Sequence, residues 1–390
     1  MSKEIVHYNM DDIESKGATI NLIWGERSNG KSYQVKHKRA IFKYLYGIDK
    51  NHVSSYKDKN KIIENMIIRH SRFVLLRRWQ EEIKTDKIEK YFADVDVAKI
   101  TDNKYNCIVM YKKTLYLATY DFENAKAVKG EIIGYVMALS TEQNYAGTSY
   151  LDVTDIIFEE FMSRSTYLAN EPDKLMNLYS TIDRKRGTTR LWLVGNTISR
   201  ICPYLTEWGL MNIITRQKQG DIDTLWVGTG DFDEDGKEIE VKIAIEYCKS
   251  TGNSSFVIGK HKNMLNKGEW QSDPQPHLPK SRKCYKLLYR IGFMYQSFKF
   301  IGEYLMDTES KERVWFIYPY DINKDFKDKM LVFSDVVKQS PYWQRNIYDL
   351  SIKNDKIKNL CKTFKENNIF YASDLIGTDF KQVIDFEIRR

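Results

Sequence analysis

Short apolar runs separated by longer polar segments dominate the first half of the chain. Residues 18–24 (Ala-Thr-Ile-Asn-Leu-Ile-Trp) predict a buried strand, and residues 33–46 predict the helix that follows it. Strands that alternate with helices are typical of a mostly parallel sheet with helices on both faces. The pattern therefore predicts an α/β domain over residues 1–210. The further strands expected in it are residues 72–78, 132–139, 155–161 and 189–196. Two helices and a hairpin are expected between them, at residues 61–70, 79–95 and 107–119.

The second half of the chain has a different pattern. Residues 222–249 predict β-structure around a polar turn, and three prolines between residues 274 and 279 indicate a loop or linker. We therefore expect a β-rich connecting region over residues 211–284 and a smaller C-terminal α+β domain over residues 285–390. The elements expected in that last domain are strands at residues 287–294, 298–305 and 314–318, followed by helix over residues 322–385.

The composition indicates a folded protein that is long enough for two domains. Of the 390 residues, 42% are hydrophobic and 13% are aromatic, which excludes a disordered chain, and single cores stop growing near roughly 250–300 residues. The net charge of +8 permits a polyanionic partner without requiring one. The five cysteines are scattered, and the sequence has neither a secretory signal nor an uninterrupted apolar stretch long enough for a membrane span. We expect a soluble, cytoplasmic protein with reduced thiols and no membrane partner.

Residues 25–32 (Gly-Glu-Arg-Ser-Asn-Gly-Lys-Ser) match the phosphate-binding loop G-x-x-x-x-G-K-[ST]. The loop lies between the first predicted strand and its helix, where backbone N–H groups and the helix N-terminus can hold phosphate. In this motif Lys31 contacts the β- and γ-phosphates and the Ser32 hydroxyl binds Mg²⁺. The motif therefore predicts that the protein binds ATP or GTP. The other loop residues expected to contact the nucleotide are Gly25, Arg27, Ser28, Asn29 and Gly30.

Two carboxylates follow the apolar residues 156–158. Hydrolysis requires an acid that holds Mg²⁺ or its water and a base that orients the attacking water. Glu159 is the candidate for the metal, at a position more often occupied by aspartate, and Glu160 is the candidate base. Because small-molecule kinases need no such base, the pair favours an NTPase that converts hydrolysis into motion. Asn196, at the end of the next strand, is a candidate sensor of the γ-phosphate, although an asparagine that begins a turn gives the same pattern.

A basic cluster, residues 184–190 (Arg-Lys-Arg-Gly-Thr-Thr-Arg), follows a predicted helix. Arginines in such a position can reach the nucleotide of a neighbouring subunit and stabilise the charge of the transition state. The alternative interpretation is a solvated basic helix end that the helix dipole stabilises. The candidates for an arginine finger acting in trans are Arg184 and Arg186.

Together these motifs resemble the DNA packaging (encapsidation) ATPases of small tailed phages with protein-primed linear genomes, which are relatives of the FtsK/HerA and terminase ATPases. The resemblance covers roughly residues 15–210, and the C-terminal part matches only by position and length. It implies a P-loop NTPase of the ASCE type, with Arg77 among the nucleotide-binding residues. It rests on residues 25–32 with Arg27 inside the loop, on Leu76-Arg77-Arg78, on residues 156–161, on the basic cluster, and on Gly195-Asn196 and Pro203-Tyr204.

The resemblance also implies a function. Members of this family form a ring of identical subunits at the portal vertex of an empty capsid, in the host cytoplasm, and pump double-stranded DNA inward as ATP is hydrolysed. The implied partners are DNA contacted without regard to sequence, the portal (connector) and a structural RNA. The implied cofactors are ATP, in preference to GTP, and Mg²⁺. By position, Glu159 supports the metal, Glu160 is catalytic, Arg184 is the first choice for the finger with Arg186 the second, and Asn196 is the sensor.

For the C-terminal domain, the resemblance implies an RNase H-like fold. True terminases use that fold as a nuclease with several carboxylates around two metals. Residues 287–298 contain no acid, and the next strand offers only Glu303 and Asp307. We therefore expect a degenerate, inactive nuclease-like domain that docks on portal, RNA or DNA. The lysines considered for phosphate contact are those within residues 49–61 and Lys104, Lys112 and Lys113, although a run of charges usually belongs to a solvated surface.

Three other functions share some of these motifs. An ATP-dependent helicase or replication motor would have the same loop and carboxylates but would unwind the duplex. A terminase large subunit with nuclease activity would cut DNA in the presence of a divalent metal. A nucleotide-gated assembly factor would switch conformation with little turnover, and Glu160 argues against it, since a pure switch needs no base.

Overall fold

The computed structural model forms two compact units. The first comprises described residues between 8 and 197 and between 217 and 249, and the second comprises those from 200 to 216 and from 270 to 389. The described residues are 8–47, 70–163, 167–197, 200–232, 234–249, 270, 272–295, 298–321, 323–336, 338–348 and 352–389.

The first unit contains a nine-stranded sheet in the order β3-β4-β5-β2-β6-β7-β1-β9-β8. Its strands are β1 Ile20–Trp24, β2 Arg72–Arg77, β3 Cys107–Tyr111, β4 Thr114–Asp121, β5 Lys126–Ala138, β6 Val153–Glu159, β7 Arg190–Val194, β8 Ile222–Phe232 and β9 Glu238–Tyr247. Its helices are α1 Asp11–Glu14, α2, α3 Thr85–Phe92, α4 Val97–Ile100 and α5 Glu171–Asp183, with 3-10 turns at Gln80–Glu82 and Leu139–Tyr145. Helix α2 consists of three consecutive segments, Lys31–Gln34, the π-helical Val35–Phe42 and Lys43–Tyr46.

Six adjacent strands in the middle of the sheet run parallel to one another, in the order β5-β2-β6-β7-β1-β9. Antiparallel strands flank them: β4 and then β3 beside β5, and β8 beside β9. Strands β1, β2, β6 and β7 are buried almost throughout, because a parallel sheet is covered on both faces and needs continuous apolar runs. The carboxyl ends of parallel strands meet at one edge of the sheet. The residues that follow β1, β2, β6 and β7 therefore lie along that edge.

The first unit extends beyond the expected boundary at residue 210. Part of the segment that was expected to connect two domains instead forms β8 and β9 of the main sheet. Residues Ile243–Tyr247 of β9 pair with Ile20–Trp24 of β1. The physical reason is that, without β9, the buried strand β1 would have backbone N–H and C=O groups with no hydrogen-bond partner along one side. Residues 200–216 belong to the second unit, as helices α6 Pro203–Glu207 and α7 Met211–Arg216. The helix expected over residues 61–70 lies outside the described residues except for His70.

The second unit contains a six-stranded sheet in the order β14-β13-β10-β11-β12-β15. Strands β10–β12 are antiparallel to one another, and β13 and β15 are parallel to the strands they join. Phenylalanine rings fill its core: Phe293 lies 4.9 to 5.8 Å, centroid to centroid, from Phe333, Phe364 and Phe380. The elements are β10 Tyr285–Tyr295, β11 Phe298–Asp307, β12 Arg313–Pro319, β13 Leu331–Ser334, β14 Trp343–Gln344, β15 Ile369–Tyr371, α8 Asp355–Glu366 and α9 Asp374–Arg389.

The expectation of a helical part over residues 322–385 is correct only for its second half, because this segment contains β13, β14 and β15 as well as two helices. Strand β13 is only four residues long and fully buried, so its apolar run carries no periodicity that separates strand from helix. Its pairing with β10 decides its conformation. Among the described helices, none is long and apolar enough to cross a bilayer.

Candidate functional site

The glycine-rich loop joins β1 to α2 at the edge where the parallel strands end. Gly25 has a φ of 151°, and a Cβ atom on it would lie 3.0 Å from the Cβ of Cys248, so only glycine fits there without a shift. Gly30 has a φ of 97° and directly precedes α2. Both glycines therefore allow the loop to adopt backbone conformations that other residues rarely adopt.

The Lys31 side chain lies inside this loop. Its Nζ donates to the carbonyl of Glu26, to Oδ1 of Asn29 at 3.1 Å and to Oδ1 of Asn196 at 3.4 Å. Burial lowers the pKa of Lys31. The contact with Asn196 brings together the loop and the end of β7.

The carboxylate of Glu159 is held at both oxygens. Ser32 Oγ donates to Oε2 at 2.9 Å, and the Tyr91 hydroxyl donates to Oε1 at 2.6 Å. Burial raises the pKa of Glu159, and this effect outweighs the two hydrogen bonds and the positive charge of Arg77, which lower it. The guanidinium of Arg77 lies 5.1 Å from the centroid of the Tyr91 ring. The loop hydroxyl and the acid at the end of β6 are therefore direct neighbours.

Glu160 follows β6 with a left-handed backbone, φ 58°, and is exposed. Its main chain is fixed by Arg78, whose guanidinium donates to the carbonyls of Glu160 at 3.2 Å and Phe161 at 2.7 Å. Arg78 Nε also lies 2.9 and 3.0 Å from the two carboxylate oxygens of the buried Glu171 in α5. A positive φ is unfavourable for a residue with a side chain, so it persists only where neighbouring groups hold it. The contacts of Arg78 hold the turn at Glu160 in this conformation.

These residues border one cleft of about 760 Å³. It brings together the loop, the end of β6 and the end of β7. Gly25, Arg77 and Glu159 are not among the lining residues: Gly25 belongs to the loop, Glu159 accepts from Ser32, and Arg77 lies over the ring of Tyr91. The cleft is lined by Arg27, Ser28, Asn29, Gly30, Lys31, Ser32, Tyr33, Gln34, Asp94, Glu160 and Asn196.

The two candidate finger arginines lie elsewhere. They follow α5 and precede β7, so they lie at the edge of the sheet opposite the cleft, and neither lines it. Arg184 is exposed and donates to the carbonyl of Thr148 at 2.9 Å. Arg186 is held more firmly, because its guanidinium donates to the carbonyls of Tyr150, Leu151, Val153, Ile182 and Asp183 of the same chain. Arg186 is therefore the more constrained of the two candidates and helps to close the turn, whereas Arg184 makes one such contact.

The sequence motifs assigned no role to several residues that hold the cleft in place. Lys36 of α2 donates to Asp94 at 2.5 Å and to the carbonyl of Tyr91 at 2.6 Å, which joins the helix after the loop to α3 and its end. Arg78 and Glu171 fix the turn at Glu160. For Tyr91 and Asp94, nothing in the local pattern distinguishes these residues from a polar helix end.

A buried ion cluster, by contrast, left a sequence signal. Asp155, buried inside β6, accepts from Arg39 Nε at 3.0 Å, from Lys43 and from Trp192 Nε1 at 2.9 Å. Burial works against its charge, but the two cations outweigh it and keep the pKa of Asp155 low, while burial lowers the pKa of Lys43 to about 8. The acid in an apolar strand and the two cations four residues apart on α2 were the signal. The cluster ties α2 to the strand that carries Glu159.

The lysines considered for DNA contact are only partly described. Residues 49–61 lie outside the described residues. Lys104 pairs with Glu131 at 2.6 Å. Lys112 and Lys113 form the left-handed turn between β3 and β4, and Lys113 donates to Gln80 Oε1 at 3.0 Å. Their contact with DNA stays a prediction.

Strand β9 supports the loop from the other side of β1. The N–H of Cys248 donates to the carbonyl of Trp24 at 2.9 Å. Two residues earlier, Glu246 is buried and accepts from the Tyr8 hydroxyl at 2.6 Å. Burial raises the pKa of Glu246 from 4.5 to about 7. This carboxyl is therefore a source of pH-dependent stability beside the loop.

We expect Glu246→Gln to stabilise the protein above neutral pH. As pH rises from 4.5, the unfolded carboxyl loses its proton first while the folded one keeps it up to about 7, so the stability that Glu246 contributes is present at low pH and is lost across this window. At pH 8 the variant should exceed the wild type by on the order of 2 kcal/mol in the free energy of unfolding, and at pH 4.5 the two should agree. Denaturant unfolding across pH, with the exposed Glu240→Gln as control, measures this, and parallel curves for wild type and variant would contradict it.

The fold and the cleft together define the class. A buried parallel strand, a glycine-rich loop with an enclosed lysine, a helix, and a strand-end acid bonded to the loop serine are the architecture of the phosphate-binding-loop proteins. The family profile described as "Podovirus DNA encapsidation protein (Gp16)" matches residues 38–246, more than half of the chain. The chain belongs to this family.

Individual relatives agree with that assignment. The chain is 30% identical over 202 residues to the DNA packaging protein of Bacillus phage B103, covering 51% of this chain and 50% of that protein. It is 25% identical over 213 residues to the DNA packaging protein of Bacillus phage phi29, covering 54% and 52%. The matched segment thus spans about half the length of each relative.

One solved structure resembles the whole chain. It is a chain of the bacteriophage Phi-29 viral genome packaging motor assembly, with a TM-score of 0.53 and 19% sequence identity, and the match covers 98% of this chain and 99% of that one. At this identity the likeness concerns the fold. The fold is mixed α/β with two large sheets, as the alternation of strands and helices predicted for its first part.

Proposed function

We propose that this chain is the ATP-hydrolysing subunit of a phage DNA-packaging motor. In a homo-oligomeric ring it would translocate double-stranded DNA into a procapsid. The observation that carries the proposal is the convergence of three sequence motifs on one cleft: the loop with Lys31, the acid pair at the end of β6, and Asn196 after β7. A phosphate-binding loop alone indicates nucleotide binding, and the addition of a base indicates hydrolysis.

The residues in the cleft fit Mg²⁺ and a nucleotide triphosphate. Mg²⁺ prefers oxygen ligands from carboxylates, hydroxyls and water, and Ser32 Oγ and Glu159 Oε2 lie 2.9 Å apart. Ser32 would bind the ion directly, and Glu159 would hold it or its water. When bound, Mg²⁺ would neutralise charge on the β- and γ-phosphates. The enclosed Lys31 amine, now satisfied by loop and Asn196 oxygens, would exchange these partners for phosphate oxygens.

Glu160 would act as the base. Its carboxylate lines the cleft and would accept a hydrogen bond from the attacking water, which orients the water and takes its proton as the bond to phosphorus forms. Arg78 and Glu171 would act as positioning residues, since they hold the main chain at Glu160 without lining the cleft. Asn196 would contact the γ-phosphate and report its loss to β7.

We further propose that each active site is completed by a neighbouring subunit. Arg184 lies at the opposite edge of the sheet from its own cleft, so it can stabilise transition-state charge only in the site of another copy. A ring of head-to-tail subunits provides this arrangement, because each interface pairs two different surfaces.

The names of the relatives support our proposal for the partners of this chain. The two relatives described above are called DNA packaging proteins, and the solved structure with a similar fold belongs to a viral genome packaging motor assembly. For this chain we infer action on duplex DNA through phosphate contacts that are independent of sequence, in the host cytoplasm and at the portal vertex, with the portal and a structural RNA as partners. Such contacts weaken steeply with salt.

The second unit, in this proposal, is the degenerate RNase H-like domain. Its mixed sheet supports the assignment. Glu303, an acid weighed for a nuclease site, is instead enclosed by Arg282 at 2.7 Å, Arg290 at 2.5 Å and the Tyr318 hydroxyl at 3.2 Å. Asp307 accepts from Lys280 at 3.0 Å. Within the described residues, no three His, Cys, Asp or Glu side chains form a group that could hold a metal ion.

ATP hydrolysis by the purified protein, with and without duplex DNA, tests the proposal. We expect duplexes of any sequence to stimulate turnover, and Lys31→Ala to abolish it because the β- and γ-phosphates lose their cation. Turnover that ignores DNA would contradict a DNA motor and favour a nucleotide-gated assembly factor. Strand separation in the same reactions would instead favour the helicase.

A further inference from the structure

The second unit contains a cleft that shares no residue with the nucleotide site. It encloses about 340 Å³ and is bordered by Met294 of β10, Lys299 of β11, residues 325–330, and Lys338, Ser340, Tyr342 and Trp343. Pockets for small ligands typically measure roughly 300–1,000 Å³. The cleft is therefore large enough for one small planar group and too small for a duplex.

Aromatic rings form one wall of this cleft, and they are fixed before any ligand arrives. Phe326 stacks on Tyr320 with ring centroids 5.1 Å apart and planes 12° from parallel. It also packs against the backbone of β10 at Gly292, where a Cβ atom would lie 2.7 Å from the ring. Trp343 meets Phe326 edge to face at 6.4 Å. Glycine at residue 292 is thus what allows Phe326 to lie against the sheet.

Cations surround these rings. Lys338 Nζ lies 4.1 Å from the centroid of Trp343, and Lys299 Nζ lies 5.8 Å from that of Phe326. Lys327 and Lys329 also line the cleft, against two aspartates, Asp325 and Asp328, so the lining carries an excess of two positive charges. Ammonium groups beside ring faces are the combination that binds a phosphate and a flat base at the same time.

We propose that this cleft binds an unpaired nucleotide of a single-stranded nucleic acid. The base stacks on the exposed parts of the Phe326 and Trp343 rings, and the lysines contact the adjoining phosphates. Bases inside a duplex are already stacked on both faces, so only an unpaired base offers a face to these rings. For an RNA strand the inference rests on the proposed function, to which it adds a binding site for the structural RNA in the second unit. For a DNA strand it goes beyond that function, which concerns intact duplex DNA and the cleft of the first unit.

Binding of labelled single strands to the full-length protein tests this inference. We would measure fluorescence anisotropy with one mixed-sequence strand, as DNA and as RNA, and with the matching DNA duplex. Trp343→Leu should weaken single-strand binding about tenfold and leave duplex binding unchanged. Lys338→Ala should reduce the slope of log affinity against log salt by about 0.7, whereas Lys362→Ala, an exposed lysine on α8, should change neither. Thermal unfolding of each variant verifies that it is folded.

Two further arms identify the source and separate this site from the motor. Tighter binding of the RNA strand would indicate an RNA loop as the partner, and tighter binding of the DNA strand would indicate a DNA end. Lys31→Ala should keep full single-strand binding while it loses ATP turnover, so failure of one proposal does not imply failure of the other. The inference is overturned if Trp343→Leu and wild type bind the strand equally, if the duplex loses as much affinity as the strand, or if an acidic peptide displaces the strand with equal affinity.

Discussion

Glu160→Gln should lower ATP turnover by about 10²–10⁴-fold, the usual effect of removing a general base. The amide retains the size and the hydrogen-bonding reach of the carboxylate but cannot accept the proton of the attacking water. Since the Lys31 and Ser32–Glu159 contacts do not involve the Glu160 side chain, the affinity for ATP should change little. Single-turnover hydrolysis and a separate equilibrium measurement of nucleotide binding distinguish the two effects.

The matched control for this variant is Asp173→Asn, which neutralises an exposed acid in the first turn of α5. It should retain wild-type turnover because Asp173 does not line the cleft. If Glu160→Gln hydrolyses ATP at the wild-type rate, Glu160 is not the base and the switch function gains support. If the variant loses nucleotide binding to the same degree as turnover, its effect is on the cleft rather than on the chemical step.

Arg184→Ala should lower the turnover of the assembled ring by about 10³-fold or more, since arginine fingers contribute 10³–10⁵ to hydrolysis. The reason is that the exposed Arg184 would complete the site of a neighbour, not its own. Turnover of the isolated subunit, which has no neighbour, should be unaffected. Lys185→Ala, at the adjacent exposed position, is the matched control and should retain activity.

Mixing two inactive variants makes this test specific. In a mixed ring, an Arg184→Ala subunit keeps Glu160, and a neighbouring Glu160→Gln subunit supplies Arg184, so some interfaces are complete. The mixture should therefore hydrolyse ATP faster than either variant alone. Absence of recovery in rings shown to contain both subunits would exclude Arg184 as a finger acting in trans. Arg186→Ala, by contrast, should destabilise the fold, because five carbonyls lose their donor.

The parallel strands of the first unit were predictable because burial on both faces leaves an unambiguous apolar run. Residues 18–24 and 72–78 contain β1 and β2, and residues 155–161 overlap β6. Strand β13 was not predictable, since four buried residues carry no periodicity. The role of β9 was also missed, because pairing with β1 depends on a partner more than two hundred residues away in the chain.

By itself the sequence determined the chemical groups of the candidate site and their order along the chain. The phosphate-binding loop, the acids 159 and 160 and Asn196 were identified from local motifs, because each requires particular residues next to a strand end. Only the tertiary structure decided what holds these groups together. The contacts of Arg78 with Glu171, of Tyr91 with Glu159 and of Asp155 with α2 join residues 68 to 116 positions apart. The sheet order and the packing of helices on it create such contacts, and no local pattern encodes them.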